Sequence, residues 1–167
     1  MSEPTTSHVG AKHAADTAFS DFYRATTRQL VAFLLLQGAD LPLAADLAQE
    51  TMTTLYRRWA EVSQPRAWAY RTASRALGRA LFSSRETPTA DPPLLRATAD
   101  VEHWHQTQEV VAELARLPPR QRQVMAWTLY DHTPAEIAAE LGMTPEAVRA
   151  NLYQARKALI ARREGDR

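Results

Sequence analysis

The chain has 167 residues, 45% of them hydrophobic, a net charge of +1 and no cysteine. That length holds one ordinary domain or two small ones, and the apolar share calls for a packed core. Thiol catalysis, disulfides and Cys-based zinc sites are excluded, no apolar run approaches a bilayer span, and residues 1–10 lack the order of an export signal, so a cytoplasmic protein is expected.

Residues 1–18 are read as a disordered tail. Phe19, Phe22, Tyr23, Leu30, Phe33 and Leu34 then share one face of a helix that Gly38 ends. Pro42 opens a second helix at a favoured first-turn position, with Leu43, Leu47, Leu55 and Trp59 in step to about residue 60. After a break at 61–64, Pro65 starts a third helix that runs to about Phe82. Phe22, Phe33, Leu47, Trp59 and Trp68 are expected to close one core, with both tryptophans packing rather than stacking on bases. Residues 87–100 carry Pro88, Pro92 and Pro93 among Thr, Ala and Asp, the composition of an extended linker. Helix resumes near Gln106 with Val110, Val111, Leu114 and Leu117, stops at Pro118-Pro119, and continues from about Arg120 to Asp131. No strand pattern or internal repeat is visible. The expected fold is all-α: two small helical domains, 19–85 and 106–163, joined by a flexible acidic linker over 86–105.

Charge follows the same division. Residues 54–85 hold seven arginines against the single acid Glu61, a net +6. Residues 86–113 hold six acids against Arg96, a net −5, and residues 145–167 hold six bases against three acids, a net +3. Basic blocks attract polyphosphate, and the acidic block between them cannot bind it in the same way.

The sharpest local pattern spans 132–160. Thr133, Pro134 and Glu136 form a capping-box start, Ile137, Ala138 and Leu141 an inward face, and Gly142 a tight turn. Thr144 and Pro145 open a second helix that buries Val148, Leu152, Ala155 and Leu159. Its other surfaces carry Arg149, Asn151, Gln154, Arg156 and Lys157. This is a helix-turn-helix, with apolar residues to seat a recognition helix and donors for bases and phosphates in the major groove.

The string LPPRQRQVMAWTLYDHTPAEIAAELGMTPEAVRANLYQARKAL, residues 117–159, resembles region 4 of RNA polymerase sigma factors. That motif alone is shared with LuxR-type response regulators. DLAQETMTTLYRRW (46–59) and PRAWAYRTASRAL (65–77) resemble region 2 of the extracytoplasmic-function group, and the two regions stand in the family's order. The resemblance implies a promoter-specificity subunit with no catalytic residue, metal or cofactor. It implies that Asp46, Leu47, Gln49 and Glu50 meet the β′ clamp helices of core RNA polymerase. Arg66, Arg71, Arg75 and Arg79 would engage the −10 element of promoter DNA, with the 61–64 loop receiving an unstacked base. Arg120, Thr144, Arg149, Asn151, Gln154, Arg156 and Lys157 would engage the −35 element, near the β flap. An anti-sigma factor is a further partner that the resemblance admits. Arg75 stands where the family commonly has Asn, Arg79 where Asp is usual, and Ala147 and Ala150 replace hydroxyl-bearing residues. Asp91, Asp100, Glu102 and Glu109 are candidates to mimic the path of RNA, or simply to solvate the linker.

Two other readings stay open on residues alone. One is a stand-alone helix-turn-helix regulator, which has no need of the DLAQET segment. The other is a polymerase-interaction module without promoter activity, suggested by the altered third helix. His103-Trp104-His105 is not expected to bind metal, since alternate positions do not share a helix face and no third ligand is evident.

Overall fold

The computed structural model describes residues 5–83 and 101–165. Seven helices are present among them: α1 (Thr5–Leu36), α2 (Leu41–Arg57), α3 (Pro65–Ser83), α4 (Val101–Ala115), α5 (Pro119–Leu129), α6 (Pro134–Leu141) and α7 (Pro145–Gly165). They have the two-domain, all-α arrangement expected. Most of the expected linker lies outside the described residues.

Local chemistry accounts for the breaks. Gly38 adopts φ +108, a conformation that side chains rarely tolerate, between α1 and α2. Asp40 then caps α2 by accepting a 2.9 Å hydrogen bond from the Leu43 N–H, with Pro42 in the first turn. Two elements are longer than expected. α1 begins at Thr5, so the segment read as a tail is helical from that residue. Ala11, Ala14, Ala15 and Ala18 favour helix. This end is also tied down: the Tyr56 hydroxyl donates to Asp16 Oδ1 at 2.8 Å, and Phe19 packs on Tyr56 and Trp59 with ring centroids 4.9 and 5.3 Å apart. α4 starts at Val101, which moves 101–105 out of the linker.

α1, α2 and α3 bury Leu30, Leu34, Ala44, Leu47, Met52, Leu55, Ala73 and Leu77; α4 to α7 bury Leu114, Leu117, Val124, Ile137, Val148, Leu152 and Ala155. Trp59 and Trp68 lie partly buried against this core, as expected.

The halves are not separate. Phe33, fully buried, sits at a seam between them, 4.9 Å from Tyr70, 5.0 Å from Trp127 and 5.1 Å from Tyr130 by ring centroids. Tyr130 also donates a 3.0 Å hydrogen bond to the Gln29 carbonyl. At Gly38 an added Cβ would stand 2.6 Å from Arg122 Nη1. Arg122 in turn donates to the Leu114 and Ala115 carbonyls, satisfying the C-terminal end of α4. One continuous apolar core therefore runs through both domains.

Candidate nucleic-acid interface

On α3 the small Ala69 and Ala73 let the helix sink into the core beside Tyr70 and Leu77. The spacing of Arg66, Arg71, Arg75 and Arg79 leaves all four exposed. Three of them face the other half of the molecule. Arg71 Nε lies 2.6 Å from one carboxylate oxygen of Glu140 on α6, and Arg75 Nη2 lies 3.5 Å from the other. Glu140 is only 14% exposed, against 48% for Arg71 and 62% for Arg75. The Arg66 guanidinium stands over the Tyr70 ring at 5.2 Å and lines a small cavity of about 120 Å³ with Tyr130 and His132. Burial raises the pKa of the Tyr70 and Tyr130 hydroxyls, so both stay protonated well into the alkaline range.

The break between α2 and α3 forms an open cavity of about 300 Å³, lined by Glu61, Ser63, Gln64, Trp68 and Arg71 among others. Arg58 pairs with Glu61 at 3.1 Å beside it. The cavity coincides with the loop that the sequence suggested for an unstacked base.

On α2, Asp46, Gln49 and Glu50 are exposed, with the two acids one helical turn apart. Gln49 Oε1 accepts a 2.7 Å hydrogen bond from the Tyr23 hydroxyl. Leu47, assigned with them, instead turns inward and is 7% exposed. Its work is to seat the helix.

The helix-turn-helix follows its local signals closely. Thr133 and Glu136 close a reciprocal capping box. The Glu136 carboxylate accepts from the Thr133 N–H at 2.7 Å and its hydroxyl at 2.8 Å. Those bonds hold its pKa below the usual carboxylate range. Gly142 ends α6 at φ 62, and Thr144 caps α7 by accepting from the Ala147 N–H at 3.1 Å. Val148, Leu152 and Ala155 are buried; Arg149, Gln154, Arg156 and Lys157 stand outward. Arg149 pairs within its own helix with Glu146 at 2.8 Å. Arg120 is exposed on α5 and donates to Gln123 at 3.0 Å. Asn151 departs from expectation, because its amide donates to the Ala147 carbonyl at 2.8 Å and the side chain is half-buried. A short polar side chain that bonds back to the preceding turn is not presented to a base.

Two residues escaped the sequence reading. Tyr153 is 63% exposed on the outer face of α7, and with Pro134, Arg149 and Arg156 it lines a cavity of about 350 Å³. An aromatic at an outward position of a recognition helix was the available signal. Glu140 gave none, since one acid on a short helix resembles ordinary surface charge. Of the acidic candidates, Glu109 lies exposed on α4 rather than in a linker, Glu102 falls within α4, and Asp91 and Asp100 lie outside the described residues. His103-Trp104-His105 falls in the first turns of α4, and the side chains of residues 103 and 104 are likewise outside. Among the described residues no group of three or more His, Asp or Glu could hold a metal ion, and no helix is long and apolar enough to cross a membrane.

Among curated protein sequences none matches the chain. Solved structures share its fold over almost its whole length, and two serve as examples. One is CnrH, solved in complex with the cytosolic domain of CnrY: TM-score 0.63, 21% identity, covering 94% of this chain and 96% of that one. The other is the sigma factor RpoE, co-crystallised with the anti-sigma factor NepR from Bartonella quintana: TM-score 0.58, 18% identity, covering 90% and 99%. At those identities the likeness establishes the fold. The family profile of Sigma-70 region 2 matches residues 22–87, and that of Sigma-70 region 4 matches residues 107–159. With both regions in order over most of its length and the matching two-domain fold, the chain belongs to the sigma-70 family, a sigma factor that recognises promoters for RNA polymerase.

Proposed function

We propose that this chain is a compact sigma factor of the extracytoplasmic-function type that acts in the cytoplasm and catalyses no reaction. The observation that carries the reading is the presence of two separate donor-rich helices, α3 and α7, behind two family regions in the family's order. Asp46, Gln49 and Glu50 offer an acidic, hydrogen-bonding face of α2 to the β′ clamp helices, where a basic partner helix is complementary. Arg66, Arg71, Arg75 and Arg79 follow the −10 strand, and the cavity beside Trp68 takes a base that has left the stack. Melting by capture needs no chemistry, because holding an unpaired base displaces the equilibrium towards open DNA. Arg149, Gln154, Arg156 and Lys157, with Arg120 and the α7 N-terminus at Thr144, engage the −35 duplex through base edges and phosphates. The β flap is the polymerase contact for this half. CnrH and RpoE were each solved with a protein partner, RpoE with an anti-sigma factor, which supports an anti-sigma factor as a further partner here.

The test is transcription in vitro from a fragmented genomic library, using core polymerase with and without the chain, with transcript ends mapped. Discrete new start sites sharing paired upstream elements are expected. Retained DNA binding with no new starts would overturn the reading in favour of a stand-alone regulator. Polymerase binding with neither would favour an interaction module.

A further inference from the structure

Arg66, Ala67 and Tyr70 of α3 enclose a cavity of about 120 Å³ with Tyr130 and His132 from the turn between α5 and α6. Two of its polar atoms lack partners. Tyr70 is only 2% exposed, yet its hydroxyl has no hydrogen-bond partner. The Nδ1 of His132 is buried and equally unpartnered. A buried polar group left in that state costs about 1–3 kcal/mol, and a bound molecule in the cavity would satisfy both.

The same space is positive. The Arg66 guanidinium lies over the Tyr70 ring at 5.2 Å and pairs with no carboxylate among the described residues. Its charge acts on the Tyr70 and Tyr130 hydroxyls alike, and Tyr130 acts on Tyr70, so these polar ends meet around one point. The cavity also abuts the first turn of α3, a helix of 19 residues with no acid in that turn. The Trp68 N–H donates to the Gln64 carbonyl. The Arg66 and Ala67 N–H groups have no carbonyl to meet within the helix, and the helix dipole favours an anion beside them. No acid lines the cavity: Asp131 is exposed, and the Glu136 carboxylate is held by Thr133.

We propose that this cavity binds a phosphate group, either the free ion or the end of a small phosphomonoester. The inference does not draw on the promoter-binding role proposed for α3. A single water needs only about 10–15 Å³ of such space, so one tetrahedral oxyanion fits, and anything attached to it stays outside. Arg66, the Tyr70 hydroxyl and the first-turn N–H groups supply donors from different directions. The Tyr130 hydroxyl gives its hydrogen to the Gln29 carbonyl, which leaves an oxygen that only accepts. Inorganic phosphate near neutral pH keeps a hydrogen to give that oxygen, and sulfate keeps none.

The test is isothermal titration calorimetry of the full chain with inorganic phosphate, at an ionic strength held constant with chloride. Saturable binding to one site is expected. Tyr70→Phe should weaken it by about tenfold, because a hydrogen bond to a charged group is lost, and Arg66→Gln should weaken it at least as much. Arg57→Gln, which removes the same charge from the exposed end of α2, should leave it unchanged. Sulfate should bind more weakly than phosphate. A titration with adenosine monophosphate separates the two sources: tighter binding than phosphate assigns a phosphomonoester, weaker binding the free ion, and Tyr70→Phe should weaken whichever is tighter. Thermal melting gives a readout that a merely structural hydroxyl would not move. Phosphate should raise the melting temperature of the wild type more than that of Tyr70→Phe, while the two melt alike without it. Absence of saturable phosphate binding to the wild type overturns the site and leaves the cavity to water. Undiminished binding by Tyr70→Phe, an equal loss in Arg57→Gln, or equal affinity for sulfate overturns it as well. If Tyr70→Phe loses its fold, Arg66→Gln at an exposed position decides the matter.

Discussion

Two helices of this molecule carry rows of basic side chains, and the fold treats them differently. On α7, Arg149, Arg156 and Lys157 stand in solvent, and Arg149 pairs with Glu146 one turn away in its own helix. On α3, Arg71 and Arg75 pair with a residue of the other domain. A pair within one exposed helix contributes a few tenths of a kcal/mol and constrains nothing beyond that helix. A pair across a seam ties the availability of the arginines to the relative position of two domains. The number of cations on a helix thus tells what it can attract, and the location of their partner tells when.

The sharpest way to break this contrast is to remove the seam. Phe33→Ala takes away the ring that touches Tyr70, Trp127 and Tyr130, and should cost about 3–5 kcal/mol in urea denaturation. A loss well under 1 kcal/mol would mean that the domains share little through it. Next in size, Arg149→Ala should cost about 1–3 kcal/mol in binding of the free chain to a −35 duplex, whereas Arg75→Ala should leave that binding unchanged. Anisotropy titration of both variants at one salt concentration separates the exposed cations of α7 from the paired ones of α3.

Thr133→Ala removes the cap of α6 and should destabilise the chain by about 1 kcal/mol in thermal melting. The same cap gives an acid signature. The folded pKa of Glu136 lies below its ordinary 4.5, so its contribution is complete above that value and is lost as pH falls through the folded pKa. Thr133→Ala should flatten this acid-side slope. Smallest is the alkaline effect. Tyr70 and Tyr130 have raised pKa values because they are buried, so the stability they confer is complete below about pH 10 and declines above it as open or unfolded chains ionise. Tyrosinate absorbance should show these two ionising late in the wild type.

What could be read from the sequence was whatever is encoded within one or two turns. The Thr133–Glu136 box, the Gly142 turn, the Thr144 cap and the inward faces of α2 and α7 follow from local spacing, and the family patterns supplied their order. The seam could not be read in that way. Phe33 and Tyr70 have the same helical periodicity whether they pack within one domain or between two. Nothing near Glu140 announces arginines 65 and 69 positions earlier in the chain. Leu47 and Asn151 show a related limit: a motif position says which residue type recurs, while burial and a bond to the preceding turn decide where the side chain goes. The helical start at Thr5 needed Asp16 and Phe19 to meet Tyr56, again a contact across distance in sequence.

Glu140 also sets how ionic strength acts on α3. Attraction between DNA and α3 weakens as salt rises, since each counterion released into a more concentrated solution gains less entropy. The Glu140 pairs hold better over the same range, because they are far shorter than a Debye length and the carboxylate is only 14% exposed. For the free chain, affinity for a −10 strand should therefore fall at least as steeply with salt as the number of arginine–phosphate contacts implies.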